Sequence, residues 1–189
     1  MRYASLSLLV AAMSLVACAG SKTSDTASTG SASTAAATGP AAGGKLYVLT
    51  PAPYDKNSGA DPKVKEECAL GIKVSQKVQE SAQGKFDVVP SKTLADAGKN
   101  KALSLTIVGV QGVAGGAWSG AKTVRIQGSL KQGGKVIGTF TGQRSSTGGM
   151  WGGYKSTCGI FERDTEALGK DVAEWLVAPS MNAKLGELK

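Results

Sequence analysis

The 189-residue sequence contains no histidine. This absence excludes Ser-His-Asp and Cys-His catalytic arrangements and removes a common metal ligand. Cysteine is scarce as well, with three residues in the chain. Two of them, Cys68 and Cys158, lie 90 residues apart, which is not a zinc-binding spacing. The sequence therefore predicts no metal site and no cofactor.

Acidic residues are few: 14 Asp and Glu stand against 22 Lys and Arg, giving a formal net charge of +8. The lysines are scattered over residues 45–189 without a dense block. This excess is compatible with an ordinary solvated surface, or with attraction to anionic envelope polymers or lipid head groups. No nucleic-acid-binding motif accompanies the charge, so we expect no nucleic-acid partner.

The one sustained apolar run, Leu6–Val16, lies at the amino terminus behind the positive charge of Arg2. It is too short to span a bilayer, as is usual for a signal peptide. The run ends in the tetrapeptide LVAC, whose last residue is Cys18. This motif in this position resembles a bacterial lipobox. The alternative is an ordinary secretory signal that is cleaved nearby, with Cys18 incidental.

The lipobox resemblance implies that residues 1–17 are a lipoprotein signal peptide and that Cys18 carries the lipid, palmitate included. Ala19 after the lipidated cysteine implies sorting to the outer membrane, with the folded part in the periplasm. Residues 19–44 consist almost entirely of Ala, Ser, Thr and Gly and cannot form a core. We therefore expect a flexible tether over 18–44.

With Cys18 lipidated, Cys68 and Cys158 remain. In an oxidising periplasm two thiols allow one intramolecular disulfide, which would stabilise the fold substantially because the closed loop is long. The alternative is two buried free thiols.

Hydrophobic patterning predicts strands over 45–50, 86–90 and 102–110, with one or two helical turns at 91–98. The first long helix begins at Asp61-Pro62, an N-cap followed by proline at the first helical position. It continues to Gly84, with an inward face formed by Val64, Cys68, Ile72, Val74, Val78 and Ala82.

A β-hairpin is predicted at the centre of the chain. Val124, Ile126 and Leu130 alternate with polar residues, and Gly133-Gly134 supplies the two positive φ angles of a tight turn. Val136 and Phe140 continue on the return strand.

Toward the carboxyl terminus we predict an extended segment at 154–161 that carries Cys158. Asp164 is expected to cap a final helix, whose apolar stripe of Leu168, Val172, Trp175 and Leu176 faces the core. Residues 180–189 are expected to be a loose polar tail.

The predicted order is β-α-β-(short α)-β-β-β-α. It indicates a single α+β domain over 45–179, with a mainly antiparallel sheet of about five strands, two main helices on one face, and one disulfide.

The hairpin is flanked by two similar loops, GGAWSG at 115–120 and GGMWGG at 148–153. They lack the sequence context of a phosphate-binding loop. One interpretation is structural, with glycines at special backbone angles and tryptophan packed on the sheet edge. The other is a binding patch formed by Trp118 and Trp151, extended by Met150 and rimmed by Arg144 and Lys155.

Catalysis is poorly supported. Adjacent Glu66 and Glu67 point apart on a helix, and Ser119 and Lys122 match an S-x-x-K motif only formally, at a loop-to-strand junction. We therefore expect no enzymatic activity, with a hydrolytic enzyme as a remote alternative.

The element order over about 45–178 resembles the periplasmic domains of TolB-like and CsgG-like envelope proteins. The two Gly-Trp loops together with the Lys65–Cys68 motif KEEC resemble a pattern of uncharacterised proteobacterial lipoproteins. This pattern carries no function with it. From the expected envelope location and the lack of a catalytic motif, we expect a non-catalytic accessory protein that binds an envelope protein or cell-wall polymer. The alternative is a peptidoglycan or glycan binder that uses Trp118 and Trp151.

Overall fold

The computed structural model describes residues 42–112, 120–147 and 156–189. The strands are β1 (Lys45–Leu49), β2 (Asp87–Ser91), β3 (Lys101–Gln111), β4 (Lys122–Gln132), β5 (Lys135–Ser146) and β6 (Ala183–Gly186). The helices are α1 (Pro62–Cys68), α2 (Leu70–Ala82) and α3 (Thr157–Trp175), with a 3₁₀ turn at Ala95–Ala97.

The six strands form one sheet in the order β2-β1-β3-β4-β5-β6. The central β3-β4-β5 meander is antiparallel, whereas β1 pairs in parallel with β2 and β3, and β6 in parallel with β5. The α+β class is confirmed, with one strand more than expected. The sheet is mixed, and its long pairings are the antiparallel ones.

The predicted hairpin is confirmed, and its turn is formed by Gly133 (φ 54°) and Gly134 (φ 82°). Two successive positive φ angles match the right-handed twist of the flanking strands. The alternation also holds, since Val124, Ile126 and Leu130 are fully buried.

The core lies between this meander and the helices. Trp175 of α3 meets Phe140 of β5 edge to face at 4.8 Å between ring centroids, which confirms the core position predicted for Trp175. The two longer helices pack closely at Gly169, where an added Cβ would lie 2.5 Å from the carbonyl oxygen of Lys77.

The single helix predicted from Asp61 to Gly84 is wrong. Ala69 adopts a left-handed conformation (φ 47°, ψ 40°) and separates α1 from α2. This break changes the helical phase, so Ile72, expected to face inward, is 45% exposed, while Leu70 is buried. The predicted N-cap is confirmed, because Asp61 accepts a hydrogen bond from the backbone N–H of Lys63.

Three expectations at the carboxyl end are also wrong. Residues 157–161 are not extended but form the first turns of α3, which Ser156 caps by accepting a hydrogen bond from the Gly159 N–H. Asp164, expected to be the cap, lies inside the helix and is 1% exposed. The supposed loose tail contains β6, which pairs with β5 from Phe140 to Gln143.

The predicted disulfide is confirmed: Cys68 and Cys158 are bonded, with 5.0 Å between their Cα atoms. The bond joins the last residue of α1 to the first turn of α3. It therefore fixes the start of the longest helix against the rest of the helical layer.

Replacing both cysteines, Cys68→Ala with Cys158→Ala, should lower the free energy of unfolding by about 4–5 kcal/mol, because the bond closes a loop of 90 residues. Urea denaturation of oxidised wild type, reduced wild type and the double variant measures this. Equal unfolding midpoints for all three would contradict the prediction.

Candidate functional site

The helices cover one face of the sheet and leave the other uncovered. Because strand side chains alternate between faces, the neighbours of the buried core positions on β3, β4 and β5 point to this second side. We call the open face the surface formed by Ser104, Thr106, Thr123, Arg125, Gln127, Ser129, Lys131, Thr139, Thr141, Gln143 and Lys184.

The strand register arranges these side chains in rows across the sheet. One row runs from Thr106 through Gln127 and Thr141 to Lys184, crossing four strands. The next row toward the hairpin turn consists of Ser104, Ser129 and Thr139. Neighbouring strands lie about 4.8 Å apart, so each row is a closely spaced series of hydroxyl, amide and ammonium groups.

On the other side of the first row, Arg125 lies opposite Gln143. Its Nε and Nη2 groups both donate hydrogen bonds to Oε1 of Gln143, at 2.8 and 2.6 Å. The amide thus holds the guanidinium of Arg125 in a defined position on an exposed surface.

Two concave regions follow one another along the open face. The first, of about 400 Å³, is lined by the two polar rows together with Asn182. The second, of about 560 Å³, contains Arg125 and Gln143 and is bounded by the loop at Asn57. Together they extend from Ser104 to Gln111 along β3, about 25 Å at the usual rise per strand residue.

The electrostatics of this surface are one-sided. Its cations are Arg125, Lys131 and Lys184, and strands β3 to β6 contain no Asp or Glu. Two carboxylates lie at the margins: Asp61 lines the second cavity, and Glu187 accepts hydrogen bonds from the N–H and hydroxyl of Ser145. Burial opposes ionisation of Glu187, but the bonds from Ser145 outweigh it and lower its pKa.

Most of the binding residues predicted from sequence lie outside the described residues: Trp118, Met150, Trp151 and Lys155, and likewise the lipidation residue Cys18. The binding role of the tryptophan loops therefore stays a prediction. Among the described residues, Lys122 at the start of β4 and Ser146 at the end of β5 are paired.

Arg144 is described, and it points toward the helices. Its Nε and Nη2 donate to the two carboxylate oxygens of Asp171 in α3, at 2.8 and 2.7 Å, and this bonding raises the pKa of Arg144. Asp171 is nearly buried. The pair fastens β5 to α3, and this structural role was not predicted from sequence.

Two buried ionisable residues were also missed. Lys122 is fully buried on the helix-facing side of β4, and burial lowers its pKa. A signal was present, because Lys122 shares the alternation of Val124 and Ile126. Likewise Asp164 falls on the apolar stripe of α3, between Phe161 and Leu168.

Asp164 combines burial with poor solvation. Its two carboxylate oxygens have no well-formed hydrogen bond to another described residue. Burial is the main cause that raises its pKa to about 7; the Glu187 carboxylate adds to this, while the Ser146 hydroxyl and Arg163 oppose it. The ionised form of Asp164 is thus disfavoured in the folded state.

The side chains of the open face are of the kinds that bind ligands. Its hydroxyl and amide groups both donate and accept hydrogen bonds, and its cations attract negative charge. Within 42–112, 120–147 and 156–189, no three His, Cys, Asp or Glu side chains are placed to hold a metal ion. No helix in these ranges is long and apolar enough to cross a bilayer.

Asp164→Asn should stabilise the protein more at pH 8 than at pH 4.5. Between the unfolded pKa near 4 and the folded pKa of about 7, the folded chain keeps a proton that the unfolded chain releases, so wild-type stability falls as pH rises through this window. The expected difference at pH 8 is roughly 3–4 kcal/mol.

Urea denaturation of both proteins at the two pH values measures this difference. Asp96→Asn, at an exposed site, controls for the loss of one negative charge. A stability difference for the Asp164 variant that does not change with pH would contradict the assigned burial cost.

No protein-family model matches this chain, and no curated protein matches it. Among solved structures, the chain is similar to PelC from Paraburkholderia phytofirmans, crystallised as a dodecamer, with 17% identity, a TM-score of 0.45, and coverage of 70% of this chain and 92% of PelC. Protein XCC0632 from Xanthomonas campestris is 12% identical, with a TM-score of 0.42, and the match covers 69% of this chain and 82% of that protein. A putative neuraminyllactose-binding hemagglutinin homolog from Helicobacter pylori is 7% identical, with a TM-score of 0.45, and the match covers 73% of this chain and 85% of that protein. These values carry no inference about function.

Proposed function

We propose that this chain is a lipid-anchored protein of the bacterial outer membrane that acts in the periplasm by binding, without catalysis. In this proposal the open face is the binding surface, and the protein is an accessory factor that engages an envelope component. The observation that carries the proposal is the ordered array of polar side chains on β3 to β6, exposed on the side of the sheet that the helices leave uncovered.

A solvated face is ordinary for antiparallel strands, so its existence alone indicates nothing. Two further features favour binding. The face is concave in two consecutive regions of about 400 and 560 Å³. Its cation Arg125 is held in place by Gln143, whereas a merely solubilising side chain would not need a fixed orientation.

The absence of catalysis in the proposal is supported by composition and bonding. The chain has no histidine, and Cys68 and Cys158 are bonded to each other, so neither a histidine base nor a thiol nucleophile is available from them.

The proposed anchor suits a binding role. Gly43, expected to be part of the tether, belongs to the folded domain, because its N–H donates a hydrogen bond to the carbonyl oxygen of Lys85. In this proposal the Ala/Ser/Thr/Gly segment 19–41 acts as a flexible tether, which would have a root-mean-square reach of about 26 Å. A folded domain held at this distance from the membrane can reorient freely, so the open face could meet a component of the periplasm without leaving the outer membrane.

Photo-crosslinking in cells tests the binding surface. A photoreactive amino acid at Thr106, Gln127 or Thr141 should give discrete or high-mass adducts, because these positions lie in the central row of the open face. The photoreactive amino acid at Lys170, which is exposed on α3, is the control and should give no adducts. Adducts from Lys170 but not from the open-face positions would place the partner on the helices and refute the proposal.

Cys18→Ser should move the protein from the membrane fraction to the soluble periplasmic fraction, because the proposed anchor is the lipid on Cys18. Fractionation followed by immunoblotting measures the distribution. Ser21→Ala provides the control, since it changes a residue of the same segment without touching Cys18 or the disulfide. Unchanged membrane association of the Cys18 variant would contradict lipid anchoring there.

A further inference from the structure

We propose that the open face binds an acidic polysaccharide, a polymer whose sugar units carry carboxylate groups. This inference rests on the proposed binding function and names the class of ligand for the same surface. Three observations carry it: the segregation of charge within the fold, the spacing of the cations, and the hydrogen-bonding character of the groups between them.

Charge is divided unequally between the layers. The three helices contain six Lys or Arg and eight Asp or Glu. The remainder of residues 42–189 contains fourteen Lys or Arg and five Asp or Glu. The positive charge of the protein therefore belongs to the sheet and its loops. On the open face, Arg125, Lys131 and Lys184 meet no carboxylate within strands β3 to β6. A face of this kind attracts a negatively charged partner.

The cations are spread too widely for a small ligand. Lys131 and Arg125 lie six residues apart on β4, about 20 Å at the usual strand rise. Lys184 lies two strands away from β4, beside Thr141. A single sugar or a free phosphate could not reach all three of these charges, whereas a polymer with repeated carboxylates could contact them in succession.

The groups between the cations suit sugar hydroxyls. The rows of Thr106, Gln127 and Thr141, and of Ser104, Ser129 and Thr139, present both donors and acceptors at each strand. Sugar hydroxyls likewise donate and accept, so they can replace the water that these side chains bind.

The face lacks what a protein partner would require. Protein interfaces are centred on buried aromatic and aliphatic side chains. Among described residues, the exposed large apolar side chains are Ile72, Val136, Val177 and Met181, and none of them lines either cavity of the open face. The apolar lining is limited to Phe140, Val108 and Val110, of which Val108 alone is half-buried and the other two are buried. The polar surface therefore favours a hydrated polymer over a folded protein.

Arg125 supplies the directional contact. Two of its N–H groups bind Gln143, and three of the five guanidinium donors remain for a ligand. A guanidinium that is held in position by an amide can bind a carboxylate with two parallel hydrogen bonds, at a smaller cost in side-chain entropy than a free arginine.

The test uses the full chain, purified in a neutral detergent, with polygalacturonate as the acidic polymer and dextran as the neutral one. Binding is measured by biolayer interferometry at increasing sodium chloride. Wild type should bind polygalacturonate and not dextran, and the affinity should fall as salt rises. The triple variant R125Q/K131Q/K184Q should bind at least tenfold more weakly.

Two further variants make the result specific. K63Q/K65Q/K170Q removes the same charge from the helical layer and should keep the wild-type affinity within about twofold, since three exposed charges off the site contribute only screened attraction. Q127A/T141A leaves the charge unchanged and should weaken binding several-fold, because it removes hydrogen bonds from the central row. Thermal denaturation verifies that each variant is folded.

An equal loss of affinity in R125Q/K131Q/K184Q and in K63Q/K65Q/K170Q would mean that the polymer is attracted generally to a basic protein, and it would overturn the inference. Equal binding of dextran would overturn the requirement for acidic sugars, and no binding of polygalacturonate would overturn the polymer class. Protein adducts in the crosslinking experiment, with no polysaccharide binding, would refute this inference while leaving the proposed binding function intact.

Discussion

The packing of α3 and α2 against the β3-β4-β5 meander is the constraint on which the rest of the structure depends. Phe140 and Trp175 meet at 4.8 Å in this layer, and fully buried Val124, Ile126 and Leu130 line its sheet side. Each such side chain contributes about 1.5–3 kcal/mol through burial. Because the helices occupy one face completely, the alternation of the strands places every second residue on the other face. The open face is thus a direct consequence of how the core is built.

The fold dictates that the open face is polar, but it does not dictate which polar residues stand there. A solvated antiparallel face ordinarily mixes both signs of charge, whereas the open face carries Arg125, Lys131 and Lys184, and strands β3 to β6 contain no carboxylate. The acidic residues are instead concentrated on the helices, where several pair with neighbouring cations such as Lys73, Lys77 and Lys170. Exposed ion pairs contribute little to the free energy of folding, so stability explains the presence of these helical pairs only weakly. It accounts even less for Arg125, Lys131 and Lys184 on the open face, which is why we assign these three cations to a ligand.

Features fixed by local chemistry were predictable from the sequence, and features fixed by distant contacts were not. The hairpin turn follows from Gly133-Gly134, and the Asp61 cap from its own dipeptide context. By contrast, β6 is a four-residue strand in a polar segment, and only pairing with β5 makes it a strand. The left-handed Ala69 carries no local signal, because alanine favours a continuous helix. For the candidate site, the alternation on β4 predicted Arg125 and Gln127 to be polar positions on a half-buried strand. The alignment of Gln127 with Thr141 and Lys184, and of Arg125 with Gln143, depends on register across the strands.

The buried Asp164 shows how the covalent and non-covalent parts of this fold compensate each other. A carboxyl group with a pKa of about 7 costs roughly 3–4 kcal/mol of stability once it ionises. It lies in α3, six residues after Cys158, whose bond to Cys68 stabilises the fold by about 4–5 kcal/mol in the chain-entropy model. The cost of ionising Asp164 and the stabilisation by the disulfide are of similar size, and both groups lie in α3. An isolated small domain with this carboxyl group and without the disulfide would lose a large part of its marginal stability above neutral pH. The disulfide therefore offsets the cost of keeping the Asp164 carboxyl group buried in the same helix.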